Sequence, residues 1–380
     1  MRRLVILALV LAWGTAGRAA AQTEVAFSGQ EMIPGPWKFD NFPYFTVTPN
    51  EGFMLIGRAQ YGRAADYLDR ISMDSRFALE GGASPGGSRF AALMVDLPRI
   101  ARGWRLAADF RLERNNRFGA FARDPGGDLV LSPGDEHVRA RRTRSSARVE
   151  VTRRLVGPLA IAASGSLSAT DWLRLPPETG TMPAPLREEN DAVGRVGLVL
   201  DLRDREFEPQ KGALIEGGVY AGSFGEGYTG GYALASGFVT PRFGTVLAAR
   251  IGGRSVGQDA SLDARYQVPA WERPLLVLGG PQSNRGLPPG RLAGRGVLFA
   301  SLEVRQVVVD GGDFAGVYLL GFVDAGRTFE DEEFRITADA LEVSGGLGVA
   351  LRILRANIFN LTAAKGPDGM QWMVGSGWAF

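Results

Sequence analysis

The sequence contains no cysteine and only one histidine, His137. The first absence excludes a disulfide framework and any thiolate metal site, so an exported form of the chain relies on its own hydrogen bonds and packing. The second leaves no partner for a Cys–His or Ser–His constellation and no histidine-based metal spacing. His137 reads as part of an outer loop, beside Asp135 and Glu136, and a lone loop histidine is rarely a base or a ligand. The glycine-rich stretches lack a phosphate-cradling loop with its lysine. An enzyme is therefore not expected, nor is a cofactor or a metal.

Long apolar runs are also missing. Residues 4–13 form an apolar core after Arg2 and Arg3, followed by small residues ending Ala19-Ala20-Ala21. That order of charge, apolar core and cleavage site predicts a signal peptide over residues 1–21. Its core is too short for a spanning helix, which needs about 20 residues. Downstream no stretch approaches about 18 uninterrupted apolar residues, although 45% of the chain is hydrophobic. Removing Arg2, Arg3 and Arg18 with the signal takes the formal charge from +2 to slightly negative, which gives no reason to expect nucleic acid as a partner.

What the chain does have is turn-forming residues and period-two alternation. With 52 glycines and 21 prolines, a many-turned all-β class fits better than a helical one. In the segment from Arg105, Leu106, Ala108, Phe110 and Leu112 share one face, and Arg105, Asp109, Arg111 and Glu113 share the other. Ala147, Val149 and Val151 oppose Arg148, Glu150, Thr152 and Arg154; Val196, Leu198, Leu200 and Leu202 oppose Arg195, Asp201 and Arg203. A soluble sandwich also alternates, but here the apolar faces mix Ala and Gly with Leu and Val, and the polar faces carry charges of both signs. That combination suits lipid outside and a polar lumen inside.

About sixteen candidate strands follow, near 42–48, 53–62, 70–80, 89–97, 104–113, 145–155, 159–170, 192–203, 213–223, 230–241, 245–256, 297–308, 316–327, 340–352, 355–364 and 370–380. The expected fold is a transmembrane antiparallel β-barrel filling residues 42–380, preceded by a periplasmic leader or short plug over 22–41. If strand one starts in the periplasm, connections after odd strands are extracellular and include the long ones near 114–144, 171–191, 257–296 and 328–339. Those after even strands are mostly short, as an outer-membrane barrel requires.

Four stretches carry a resemblance: Asp201-Leu202-Arg203-Asp204 with Phe207, Pro209 and Gly212; Gly279-Gly280 with Asn284-Arg285-Gly286-Leu287; Ser301-Leu302-Glu303 with Phe322-Val323-Asp324-Ala325-Gly326; and Pro49-Asn50-Glu51-Gly52. In their order and spacing the sequence resembles the BamA/TamA, or bacterial surface antigen, family. Alternation on strands 297–308 and 316–327 turns Glu303 and Asp324 into the lumen, where two neighbouring carboxylates need a cation. The resemblance supplies Arg285, at the tip of a long loop folded back into the barrel, with Gly286 allowing a tight turn. The alternative keeps Arg285 in solvent and pairs the acids with lumenal arginines such as Arg305. Leu287 departs from the family, which has an aromatic there.

The chain ends Gly375-Ser376-Gly377-Trp378-Ala379-Phe380, which resembles the sorting signal that barrel substrates present to the barrel-assembly machinery. The plainer reading is an interfacial aromatic girdle on the last strand. The resemblance implies a barrel-only member without POTRA domains, located in the bacterial outer membrane. Its expected partners are outer-membrane lipid and the assembly machinery, with a protein client and a homo-oligomer left open. Protein insertion, translocation or membrane remodelling through a parting seam, weakened by Pro43, Gly375 and Gly377, stands against a passive or plugged pore. A third reading is secretion of a separately encoded effector.

Overall fold

A computed structural model describes residues 34–66, 69–121, 137–174, 188–271, 274–276, 278–291, 293–312, 314–329, 341–353 and 357–380. The proposed signal peptide and most of the proposed leader lie outside them. The described residues form a closed antiparallel barrel of sixteen strands. These are β1 (Trp37–Thr48), β2 (Gly52–Ala64), β3 (Met73–Ala83), β4 (Arg89–Ala101), β5 (Trp104–Phe121), β6 (His137–Val156), β7 (Leu159–Arg174) and β8 (Glu189–Asp201). The circuit continues with β9 (Gly212–Phe224), β10 (Glu226–Arg242), β11 (Thr245–Val256), β12 (Gly296–Gly311), β13 (Ala315–Phe329), β14 (Glu342–Ile353), β15 (Asn357–Gly366) and β16 (Gly369–Ser376). Each strand pairs with its sequence neighbours, and β16 returns to β1.

The wall is inside-out relative to a soluble core. On β12, Leu302 and Val304 are exposed outward at 57% and 43%, while Glu303 and Arg305 between and beside them are only 3% and 2% exposed. The same alternation puts Phe110 and Leu112 outside and turns Arg105, Arg111 and Glu113 inward. Among the described residues, the bulkiest fully buried side chains are Arg254, Arg285 and Arg305. A strand exposes its faces alternately, so an apolar exterior and an ionic interior require no long apolar segment.

Three expectations change. β1 starts at Trp37, before the expected boundary at residue 42, because residues 37–41 pair with Ala59 through Arg63 of β2 despite Pro43 nearby. β5 and β6 run on to Phe121 and back to His137, shortening the expected 114–144 loop; polar residues such as Asn115 and Arg142 read as loop but pair in register. His137 thus begins a strand, opposite Phe121. Finally, the last strand stops at Ser376 rather than 380, where Gly377 takes φ +82°, a conformation that ends strand geometry.

Between β11 and β12 the long connection enters the barrel. It holds one helical turn, α1 (Leu262–Arg265), and the two-residue pair Gln267–Val268 with Leu275–Leu276. Its rim also carries the β1–β2 and β15–β16 turns and is called here the loop rim.

Candidate functional site

The site begins with register. β12 and β13 pair Ser301 with Asp324 and Glu303 with Phe322, so the two inward carboxylates are diagonal neighbours, close enough for one long side chain to serve both. Arg285, from the loop, reaches them. Its Nε donates to Asp324 Oδ2 at 2.8 Å, Nη2 to Asp324 Oδ1 at 2.9 Å, and its backbone N to Asp324 Oδ2 at 3.0 Å. Nη1 donates to Glu303, and the guanidinium lies 3.5 Å from the Phe322 ring centroid.

The planar fork explains why arginine suits the place: two edges meet two carboxylates while a face meets an aromatic ring. Burial alone would lower the Arg285 pKa, but Asp324 and Glu303 more than offset it and raise the value above that of an ordinary arginine. Arg305 also bonds Glu303, at 2.7 Å from Nε, so the cluster holds two cations and two anions. The arrangement with Arg285 in solvent does not occur.

Gly286 makes the approach possible. Its N–H donates to Ser344 Oγ at 3.1 Å, and a Cβ there would stand 2.2 Å from that of Ser344. Asn284 Nδ2 holds Glu342 O at 2.8 Å. Leu287 is buried with Tyr220, Tyr232 and Phe299, filling space against aromatics supplied by the wall.

The loop's first limb is tied to the other side. Leu262 and Asp263 N–H groups donate to Glu189 at 2.7 and 3.2 Å, and Asp263 receives Arg142 at 3.1 Å and Arg144 at 2.8 Å. The loop therefore crosses the lumen from β6 and β8 to β12, β13 and β14. At the loop rim, Asn50 of the β1–β2 turn donates to Pro289 O at 2.8 Å, and Arg291 pairs with Asp368 of the β15–β16 turn, at 2.8 Å from Nη2. Two loop residues, two positions apart, thus hold the turns on either flank of the closing seam.

The Asp201–Gly212 stretch makes a built turn at the opposite rim. Arg203 bonds Asp201 bidentately at 2.9 and 3.1 Å, while Asp204 Oδ1 accepts the N–H groups of Gln210 and Lys211 at 2.9 and 3.1 Å. Pro209 lies inside this turn. Gly212 has φ +98°, and a Cβ would meet Leu202 O at 2.0 Å. Sequence reasoning missed what the turn carries: Glu206 pairs with Arg105 of β5 at 2.9 Å, and Glu208 reaches Tyr318 and Arg352 on β13 and β14. Acids and Phe207 in a short connection were the available signal.

The terminal aromatics require a correction. Past Gly377 the chain turns inward instead of continuing along the outward-facing register of β16. Arg250 donates to Ala379 O at 3.1 Å and Arg305 to Phe380 O at 2.7 Å. The Arg305 guanidinium lies 4.3 Å from the Trp378 ring centroid, and that of Arg250 lies 4.6 Å from Phe380. Cations facing aromatic rings favour this placement over an outer girdle. Trp372, still within β16, does face outward, and Gly375 lies buried on its inner face.

With this geometry in view, solved structures give a match. BamA from Haemophilus ducreyi, solved without its POTRA domains 1–3, aligns at a TM-score of 0.56 and 12% identity over 96% of this chain and 78% of that one. CdiB from Escherichia coli aligns at 0.58 and 12% over 91% and 67%. The fold is that of the BamA and CdiB barrels. CdiB from Acinetobacter baumannii also aligns, at 0.53 and 11% over 91% of this chain and 64% of its own, so this chain spans a little under two thirds of that relative. No family model matches the sequence, and no curated protein matches it. The likeness to BamA and CdiB is therefore one of architecture.

Proposed function

We propose that the chain is a bacterial outer-membrane barrel of the BamA/TamA surface-antigen type, acting without catalytic chemistry in insertion or translocation of protein clients or in remodelling lipid beside its seam. The observation that carries this reading is the seam itself. β1 and β16 share one register pair, Val47 with Val374, whereas β1 and β2 pair continuously from Trp37–Arg63 to Thr48–Gly52. Unpaired strand edges are poorly tolerated in hydrocarbon and act as templates for an incoming strand. A short seam therefore opens at lower cost than any other junction in the wall.

In this reading the loop rim faces outward from the cell, and the β8–β9 turn faces the periplasm. The Arg285 cluster serves as a lock: it positions the loop, and the loop bridges both flanks of the seam through Asn50 and Asp368. Opening is then coupled to loop movement instead of being continuous.

The test uses the chain's lack of cysteine. Val47→Cys with Val374→Cys should form a disulfide across the seam. The oxidised barrel should remain folded in liposomes yet fail to accelerate insertion of unfolded outer-membrane proteins, and reductant should restore it. Equal rates in both states would overturn the seam as the working part.

A plugged passive pore is the second reading, favoured by the entry of both the long loop and the β8–β9 turn into the lumen. Deleting residues 257–296 and measuring planar-bilayer conductance separates the two. A large, steady conductance released by deletion, together with no effect of the seam disulfide, supports the pore.

A further inference from the structure

Several lumenal arginines in this barrel pair with carboxylates, among them Arg142, Arg195 and Arg285. Among the described residues, three arginines on the outer face near the loop rim have no such ion pair. Arg89 of β4 is directly opposite Arg114 of β5 in the register, and like charges in that position repel. Arg114 pairs with Thr143 of β6, and Arg141 lies two residues further along the same face. Arg114 and Arg141 send their Nε atoms to a single neutral acceptor, Asn116 Oδ1, at 3.0 and 3.1 Å. Two guanidinium groups thus converge on one amide oxygen, and a third stands across the ladder. The carboxylate nearest in register on this face is Asp171, opposite Thr143 on β7, and no ion pair joins it to any of the three among the described contacts.

Beside them the outer wall carries a shallow, open apolar depression. An apolar hollow of about 750 Å³ is lined by Ala91, Leu93, Phe110, Leu112, Ala147 and Leu167, among others. Its height follows from strand geometry. Trp104, exposed at the opposite end of β5 with Arg153 5.0 Å from its ring centroid, marks one membrane interface. Arg114 lies ten residues further along β5. At about 3.3 Å per residue and a tilt of about 40°, that is about 25 Å of height, the thickness of the apolar band of such barrels. The arginines therefore stand at headgroup level in the outer leaflet, with the hollow at acyl-chain level.

We propose that Arg89, Arg114 and Arg141 with this hollow form a binding site for a phosphate-bearing, multiply acylated lipid of the outer leaflet. Guanidinium groups bind phosphate bidentately, which replaces the repulsion between Arg89 and Arg114 with a shared anion. The hollow gives acyl chains apolar contact that a free phosphate or an acidic peptide does not use. The inference rests on the membrane-barrel reading above.

The experiment is native mass spectrometry of the delipidated full chain in detergent micelles, with lipid A as the probe. Folding is monitored separately by heat-modifiable mobility. The wild type should retain lipid A, and Arg89→Gln/Arg114→Gln/Arg141→Gln should retain it about tenfold more weakly, a loss of roughly 1.4 kcal/mol. Ala147→Trp, which fills the hollow and leaves the arginines, should also weaken retention. Dephosphorylated lipid A should bind poorly to the wild type, and inorganic phosphate should not displace lipid A. Equal retention by the folded triple variant, equal binding of the dephosphorylated form, or complete displacement by inorganic phosphate would each overturn the site while leaving the barrel reading intact. A chain that folds only without detergent would overturn both.

Discussion

Arg285 shows how one side chain links sequence pattern to fold. Glu303 and Asp324 were legible as lumenal because period two leaves no other place for them once Leu302 and Val323 face outward. Arg285 itself was legible only through its resemblance to a known loop tip, since nothing in local spacing ties residue 285 to β12. Replacing Arg285 with Ala leaves two buried carboxylates, one wholly buried, and is expected to destabilise the barrel by about 3–5 kcal/mol. Urea titration of the heat-modifiable mobility shift would measure it. Lys at this position should recover only part of the loss, because an ammonium is a point charge that cannot present two donor edges. At the other rim, Gly212→Ala places a side chain at positive φ against Leu202 O and is expected to cost about 1–3 kcal/mol; the same titration reads it.

At the scale of elements, the long loop couples parts of the wall that are far apart in sequence. If it staples the seam, Arg291→Ala together with Asn50→Ala should speed hydrogen exchange in β1 and β16 while leaving β6 and β7 unchanged. Uniform change, or none at the seam, would show that the loop merely fills space. All sixteen strands were legible from alternation, and their ends were not, for identifiable reasons. The β5–β6 hairpin continues past the apolar band, where Asn115 and Arg142 pair without an apolar face to announce it. β16 stops early because a conformational event at Gly377 and two lumenal cations draw Trp378 and Phe380 inward. Period-two patterning records which face a residue takes within a strand, and it carries no information about where a neighbouring cation waits.

For the whole molecule, the proposed function has the two faces of one sheet meet different solvents. The outer face presents Leu, Val and Phe, and the inner face presents ion pairs; in water the arrangement would leave an apolar belt exposed on every side. A loop from one rim and a turn from the other enter the lumen, and under the proposed function stability, closure and seam behaviour depend on the same buried charges. The most direct test places an environment-sensitive bimane label on single cysteines at Leu302 and Ser301, adjacent residues on opposite faces of β12, in the barrel reconstituted with brominated phospholipid. Strong quenching at position 302 and little at 301 is the predicted result. Equal quenching, or the reverse order, would contradict the assignment of hydrocarbon to the outer face and of the ionic interior to the lumen.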